Sequence, residues 1–273
     1  MQGAIFSDID IRDYRARYIA QTVDFPKSFE LEMIRVKNQG RTGSCVAHAL
    51  SSIIEYYNNK QNHDSTEMSI GYIYGNRTTS TYKGSGMVVR DALKAICLYG
   101  DVYKHSYVLN DNAEVPDAIS QFEENKDDLY EYGYLHRISQ YCRVDDENTI
   151  KASLMSGNPV VMAMKWYSDM KVVNGVLTTS YERYTGAHCM VIYGWNEQGW
   201  KVQNSWGELW GNKGTVIIPY DIELRECWTL TDDIIEGIEV KKPFSYRCIR
   251  FIAKFVNKIY NIIKKYITTL KGR

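Results

Sequence analysis

The chain has 273 residues, 44% hydrophobic and 24% charged, enough apolar material for a full buried core and too much for a disordered chain. Lys and Arg number 33, as do Asp and Glu, so the formal net charge is zero and no overall basic field points to nucleic acid. No apolar run reaches bilayer length, and the first residues, carrying Asp8, Asp10, Arg12 and Asp13, lack the apolar core of a secretory signal.

In chain order, residues 1–24 read as a short leader, followed by a folded region over 25–240 that begins at Phe25-Pro26. Residues 36–49, Val-Lys-Asn-Gln-Gly-Arg-Thr-Gly-Ser-Cys-Val-Ala-His-Ala, place Cys45 just before an apolar pattern of helical spacing: Val46, Ala49, Leu50, Ile53, Ile54 and Tyr57. A helix is therefore predicted to start at Cys45, with Ser44 as its cap. Gly84-Ser85-Gly86 is a loop signal. Val88 to Tyr99 reads as a helix stopped by Gly100, and acidic Asp117 to Tyr130 as another. Thr149 to Ser156 is a short helix closed by Gly157-Asn158-Pro159. Strand-like runs then follow at Val160–Trp166, Cys189–Trp195, Trp200–Gln203 and Thr215–Ile218. The expected architecture is α+β with two lobes, 25–112 mainly helical and 113–240 rich in strand. Residues 241–273 hold 10 Lys and Arg and no acidic residue, leaving 23 basic against 33 acidic residues in the rest. Phe251, Ile252, Phe255, Ile259, Ile262, Ile263, Tyr266 and Leu270 recur there at helical spacing, which predicts a basic amphipathic helix. Its apolar stripe has three candidate partners: the acidic domain itself, a membrane surface, or a protein groove.

Cys45 is the candidate nucleophile, because a thiolate is stabilised at the positive end of a helix dipole. A nucleophile needs a base, and the base an orienter. His188 heads a short apolar strand, and Asn204 ends the next one. The Asn196-Glu-Gln-Gly199 turn between them reads as a hairpin, so both side chains emerge at one end of a sheet. Of the other histidines, His48 lies one turn beyond Cys45 on a core face, while His63, His105 and His136 sit in polar surroundings. The remaining cysteines, Cys97, Cys142, Cys189, Cys227 and Cys248, are scattered without a Cys-x-x-Cys pair, so neither a metal site nor a disulfide framework is expected. No cofactor is implied. A catalytic thiol without disulfides suits the cytoplasm or another reducing compartment.

Three blocks carry a family resemblance: Gln39-Gly40-x-x-Gly43-Ser44-Cys45, Gly186-Ala-His188, and Asn204-Ser-Trp206-Gly-x-x-Trp210-Gly211. Together, and in this order, they resemble papain-like cysteine peptidases of the prokaryotic and viral type. His188 follows Cys45 by 143 positions, within the roughly 130–150 of such enzymes. The resemblance spans roughly residues 24–230 and implies a helical left lobe, a β-barrel-like right lobe and a cleft between them. It implies an endopeptidase acting on peptides or proteins, with Gln39 and the Cys45 backbone N–H as oxyanion donors. Trp206 would shield the His188–Asn204 bond, and Gly43 and Ser44 would shape the turn into the helix. Gly84, Ser85 and Gly86 would pair with substrate backbone, and Trp210 would line the leaving-group side. The same site could serve a dedicated processing reaction or acyl transfer, and the tail could make the chain a membrane-active or targeting protein. Three departures stand out. Thr42 replaces a cysteine that the family uses in a disulfide, Val46 replaces an aromatic residue, and a long inhibitory segment before the domain is missing.

Overall fold

The computed structural model describes residues 2–11, 13–18, 24–105, 110, 112–231 and 238–240. The tail predicted as a helix lies outside the described residues, as does Cys248. The first lobe is built from helices α1 (Cys45–Asn62), α2 (Ile70–Gly75), α3 (Val89–Tyr99), α4 (Val115–Glu124) and α5 (Lys126–Gly133). The strands are β1 (Ala4–Ile5), β2 (Ala16–Tyr18), β3 (Phe29–Glu30), β4 (Met87–Val88), β5 (Gln140–Arg143), β6 (Val160–Tyr167), β7 (Lys171–Val173), β8 (Val176–Thr178), β9 (Tyr184–Asn196), β10 (Gly199–Gln203), β11 (Thr215–Pro219), β12 (Glu226–Thr231) and β13 (Ile238–Val240). A sixth helix, α6 (Glu147–Met155), belongs with the strands.

From Cys45 to Asn58 every residue of α1 is buried, so this helix is the spine of the molecule rather than a surface element. Its apolar positions fill the core as their spacing requires. Its polar positions are paired instead: Glu55 accepts from Lys37 Nζ at 2.5 Å, from Arg35 Nε at 3.0 Å and from the Met68 N–H at 2.8 Å. A buried carboxylate persists only with such partners.

In the second lobe the strands follow the order β5-β12-β6-β9-β10-β11-β8-β7. The two-residue turn at Glu197-Gln198 joins β9 to β10 with Gly199 opposite Asn196, the hairpin expected from the sequence. β9 is longer than its apolar run because its first residues, Tyr184 to Ala187, pair with Tyr167 to Lys165 of β6. The acidic segment forms two helices rather than one, broken at Asn125. The expected division at residue 112 falls before α4 and α5. Yet Val115, Ala118, Phe122 and Leu129 of these helices join the core of the helical lobe, so that lobe runs past residue 130. The reason is local: Phe122 packs edge-on against Tyr72 of α2 at 5.5 Å. Among the described residues no helix is long and apolar enough to cross a membrane.

Candidate active site

α1 starts at Cys45, where its first N–H groups lack helical partners. Ser44 occupies the cap position, but its side chain makes no capping bond. Its Oγ turns instead to Thr42 Oγ1 at 2.7 Å and His48 Nδ1 at 3.2 Å, so the expected cap is replaced by a buried hydroxyl–imidazole chain. That bond places His48 in the interior, as its spacing from Cys45 suggested.

His188 lies on β9 and Asn204 just past β10, brought together by the hairpin. Asn204 Oδ1 accepts a hydrogen bond from His188 Nε2 at 2.7 Å. An amide oxygen only accepts, so Nε2 carries the proton and Nδ1 is left with its lone pair in the neutral ring. His188 Nδ1 is buried and has no hydrogen-bond partner. Trp206 stacks on the imidazole with centroids 4.6 Å apart, and Trp166 meets it edge-on at 5.3 Å. Trp210 packs edge-on against Trp206 at 5.3 Å, so it supports the ring. Sequence reasoning missed Trp166, whose place follows only from the β6–β9 register that sets Trp166 opposite Gly186.

Gln39 is fully buried, its Nε2 donating to the Thr42 carbonyl at 2.8 Å and its Oε1 accepting from Ser205 Oγ at 2.6 Å. The backbone here is tied across the lobes: Gln39 N–H donates to the Ser205 carbonyl at 2.8 Å and Gly207 N–H to the Lys37 carbonyl at 3.0 Å. Through Lys37, the Glu55 carboxylate on α1 anchors the loop that carries Gln39. Glu55 was legible as a lone acid among buried helix positions, a pattern that demands a basic partner.

Gly84 and Ser85 are exposed, Gly86 is buried, and β4 follows directly. This strip stands against the turn before Cys45, since a Cβ on Gly43 would come 2.7 Å from Ser85 Oγ and 2.9 Å from the Gly86 nitrogen. Gly43 is thus required for close approach rather than for backbone conformation.

The leader lies in the cleft between these parts. β1 pairs in parallel with β4, Ala4 beside Met87, and Ala4 also pairs antiparallel with Ala187, the neighbour of His188. The Met87 N–H donates to the Gly3 carbonyl at 2.8 Å. Gly3 fits so tightly that a Cβ there would overlap the Gly43 carbonyl. Further along, the Ser7 N–H donates to Glu226 Oε2 at 3.0 Å, and the partly buried Arg90 binds Asp13 at 2.5 Å and the Asp8 carbonyl. Cys45 and His188 are consequently wholly shielded from solvent. Burial raises the Cys45 thiol above its ordinary value, opposed by the backbone N–H groups of Cys189, Gly3 and Val46 at the sulfur. Burial lowers His188 to about 4 against the favourable bond to Asn204. The covered pair is therefore neutral near pH 7, not the thiolate–imidazolium pair expected from the sequence alone, because desolvation penalises both charges. A cavity of 340 Å³ elsewhere, lined by residues such as Asp145, Glu147, Tyr220 and Glu223, includes none of the residues singled out for catalysis. Among the described residues no group of His, Cys, Asp and Glu could hold a metal ion.

A two-lobed α+β fold with a cysteine at the head of the central helix and a histidine–asparagine pair on the facing hairpin defines a cysteine hydrolase. The chain belongs to the papain family of cysteine proteases, whose family model matches residues 19–234. An uncharacterized peptidase C1-like protein of Acanthamoeba polyphaga mimivirus is 30% identical over 232 residues, covering 74% of this chain and 72% of that protein. Ananain of Ananas comosus is 26% identical, covering 80% of this chain and 59% of that protein. Among solved structures, xylellain, a cysteine protease from Xylella fastidiosa, superposes with a TM-score of 0.72 at 23% identity, over 85% of this chain and 96% of its own. The protein is thus a thiol protease, a hydrolase of peptides or proteins.

Proposed function

We propose that the protein is an endopeptidase working through Cys45, His188 and Asn204 with Gln39 in the oxyanion hole, and that the leader holds it latent. The observation that carries this reading is the 2.7 Å bond from His188 Nε2 to Asn204 Oδ1, which fixes the tautomer and leaves Nδ1 as the base. Once the leader leaves, water returns to the cleft and the two pKa shifts relax. The proton then passes from Cys45 to His188, aided by the helix dipole at Cys45. The thiolate attacks the substrate carbonyl carbon. The oxyanion is held by the Cys45 N–H and by the Gln39 side-chain amide, each such donor being worth about 3 kcal/mol. The imidazolium protonates the leaving amine as the C–N bond breaks, giving a thioester. Water, deprotonated by His188, then attacks the thioester carbonyl and releases the acid and the free thiol. A reducing compartment suits a thiol nucleophile. Hydrolysis of fluorogenic peptides under reducing conditions, with Cys45→Ala beside the parent chain, tests the mechanism. Activity that survives Cys45→Ala refutes it.

A further inference from the structure

Arg77 is a buried cation that the mechanism does not use. Only 4% of it is exposed, and among the described residues no carboxylate pairs with it. Its guanidinium instead collects backbone carbonyls: Nη1 donates to Gly86 at 2.8 Å and to Gly84 at 3.4 Å, and Nε to Tyr74 at 3.1 Å. The group lies 4.6 Å over the Tyr74 ring, and the Tyr74 hydroxyl accepts the Gly86 N–H at 3.2 Å. The one remaining carbonyl of the strip, that of Ser85, accepts from Tyr82 Oη at 2.8 Å. The Gly84 and Gly86 carbonyls are therefore held by the buried guanidinium, and the Ser85 carbonyl by the Tyr82 hydroxyl at the surface. What the strip then offers outward is the edge of β4, whose Met87 N–H already takes a peptide carbonyl, that of Gly3.

We infer that Arg77, with Tyr74 behind it, is the positioning residue that presents the Gly84–Met87 edge to the backbone of an extended peptide substrate. A buried guanidinium bound only to carbonyls costs desolvation, and two donor contacts to the loop with a third to α2 are a planar geometry that lysine cannot reproduce. Without it, two glycines at the rim would have no side chain to pin them, and backbone pairing would have to order the loop at each encounter. The inference rests on the peptidase reading and assigns Arg77 to substrate alignment, not to chemistry at sulfur.

The test compares two reagents on the full-length chain. Iodoacetamide reports how open and nucleophilic Cys45 is. A dipeptidyl vinyl sulfone, and its backbone N-methylated analogue, reports alignment along the strip as well. Because the leader blocks both reagents, the ratio of their rates cancels any loosening of the leader. In the parent chain N-methylation should slow the vinyl sulfone about tenfold, the worth of roughly one hydrogen bond. In Arg77→Met the vinyl sulfone-to-iodoacetamide ratio should fall about tenfold and the N-methyl penalty should shrink below about threefold. Arg77→Lys should fall between, and Tyr74→Phe, which removes only the acceptor for the Gly86 N–H, should repeat the effect more weakly and serves if Arg77→Met does not fold. Rates that change by one common factor for all reagents, or do not change, overturn the assignment of Arg77. If Cys45 reacts with neither reagent in a Gly3→Val variant, whose added Cβ overlaps the Gly43 carbonyl and so displaces the leader, the peptidase reading falls and this assignment with it.

Discussion

Replacing Gly3 by valine should open the cleft. A Cβ at this position overlaps the Gly43 carbonyl, so the leader backbone must leave the groove beside Cys45. Leaving forfeits the Met87 N–H bond to the Gly3 carbonyl and the strand pairing of Ala4 with Ala187, together about 2 kcal/mol net. Exposing the Ala4 methyl, 4% exposed in the closed form, adds about 0.8 kcal/mol. The total of about 3 kcal/mol corresponds to roughly a hundredfold shift from closed to open. The second-order rate of Cys45 alkylation by an epoxide reagent, followed by intact mass, should rise by about that factor. A rate unchanged by Gly3→Val in a folded protein would refute the occlusion, as would a parent chain already reacting at the rate of an open thiolate.

Asp13→Ala should free the leader from its distal anchor, since it leaves Arg90, whose side chain is 11% exposed, without its carboxylate, whereas Ile11→Ala, at a residue 96% exposed, should leave alkylation unchanged. Closure should be insensitive to pH around neutrality: the closed pair carries its one proton on the Cys45 thiol and the open ion pair carries it on His188, so opening takes up no proton. Alkylation measured on either side of pH 7 should therefore report one closed fraction, and a fraction that shifts steeply there would contradict proton transfer from Cys45 to His188. Glu55→Ala leaves Lys37 buried and unpaired, which should cost about 4 kcal/mol and lower the melting temperature by roughly 10 °C in calorimetry. Asn204→Ala should lower kcat about a hundredfold with little change in KM, by releasing the His188 tautomer, in a protein that still folds.

The placement of the proposed catalytic set was legible because its chemistry is tied to local pattern. A cysteine after glycine and serine at the head of a helical stripe, and two strand ends joined by a two-residue turn, can each be read from neighbours in sequence. Glu55 was legible in part, since a charged residue inside a buried helix face requires a partner, though nothing local named Lys37. Trp166 and Arg77 were not legible. Trp166 reaches His188 only through the register of β6 on β9, and Arg77 reaches Gly86 only through the folding back of the loop between α2 and β4.

The leader shows the limit most clearly. Its sequence told only that a short polar segment precedes the domain. That Gly3 rests on Gly43 is a contact across forty positions, decided by which groove has room for a bare backbone and an edge with an unpaired N–H. The sequence determined where the proposed catalytic residues fall, because helix starts and hairpins are short-range structures. Only the tertiary structure decided their state, because desolvation of the thiol and imidazole depends on everything packed around them, and here the chain's own beginning is packed there.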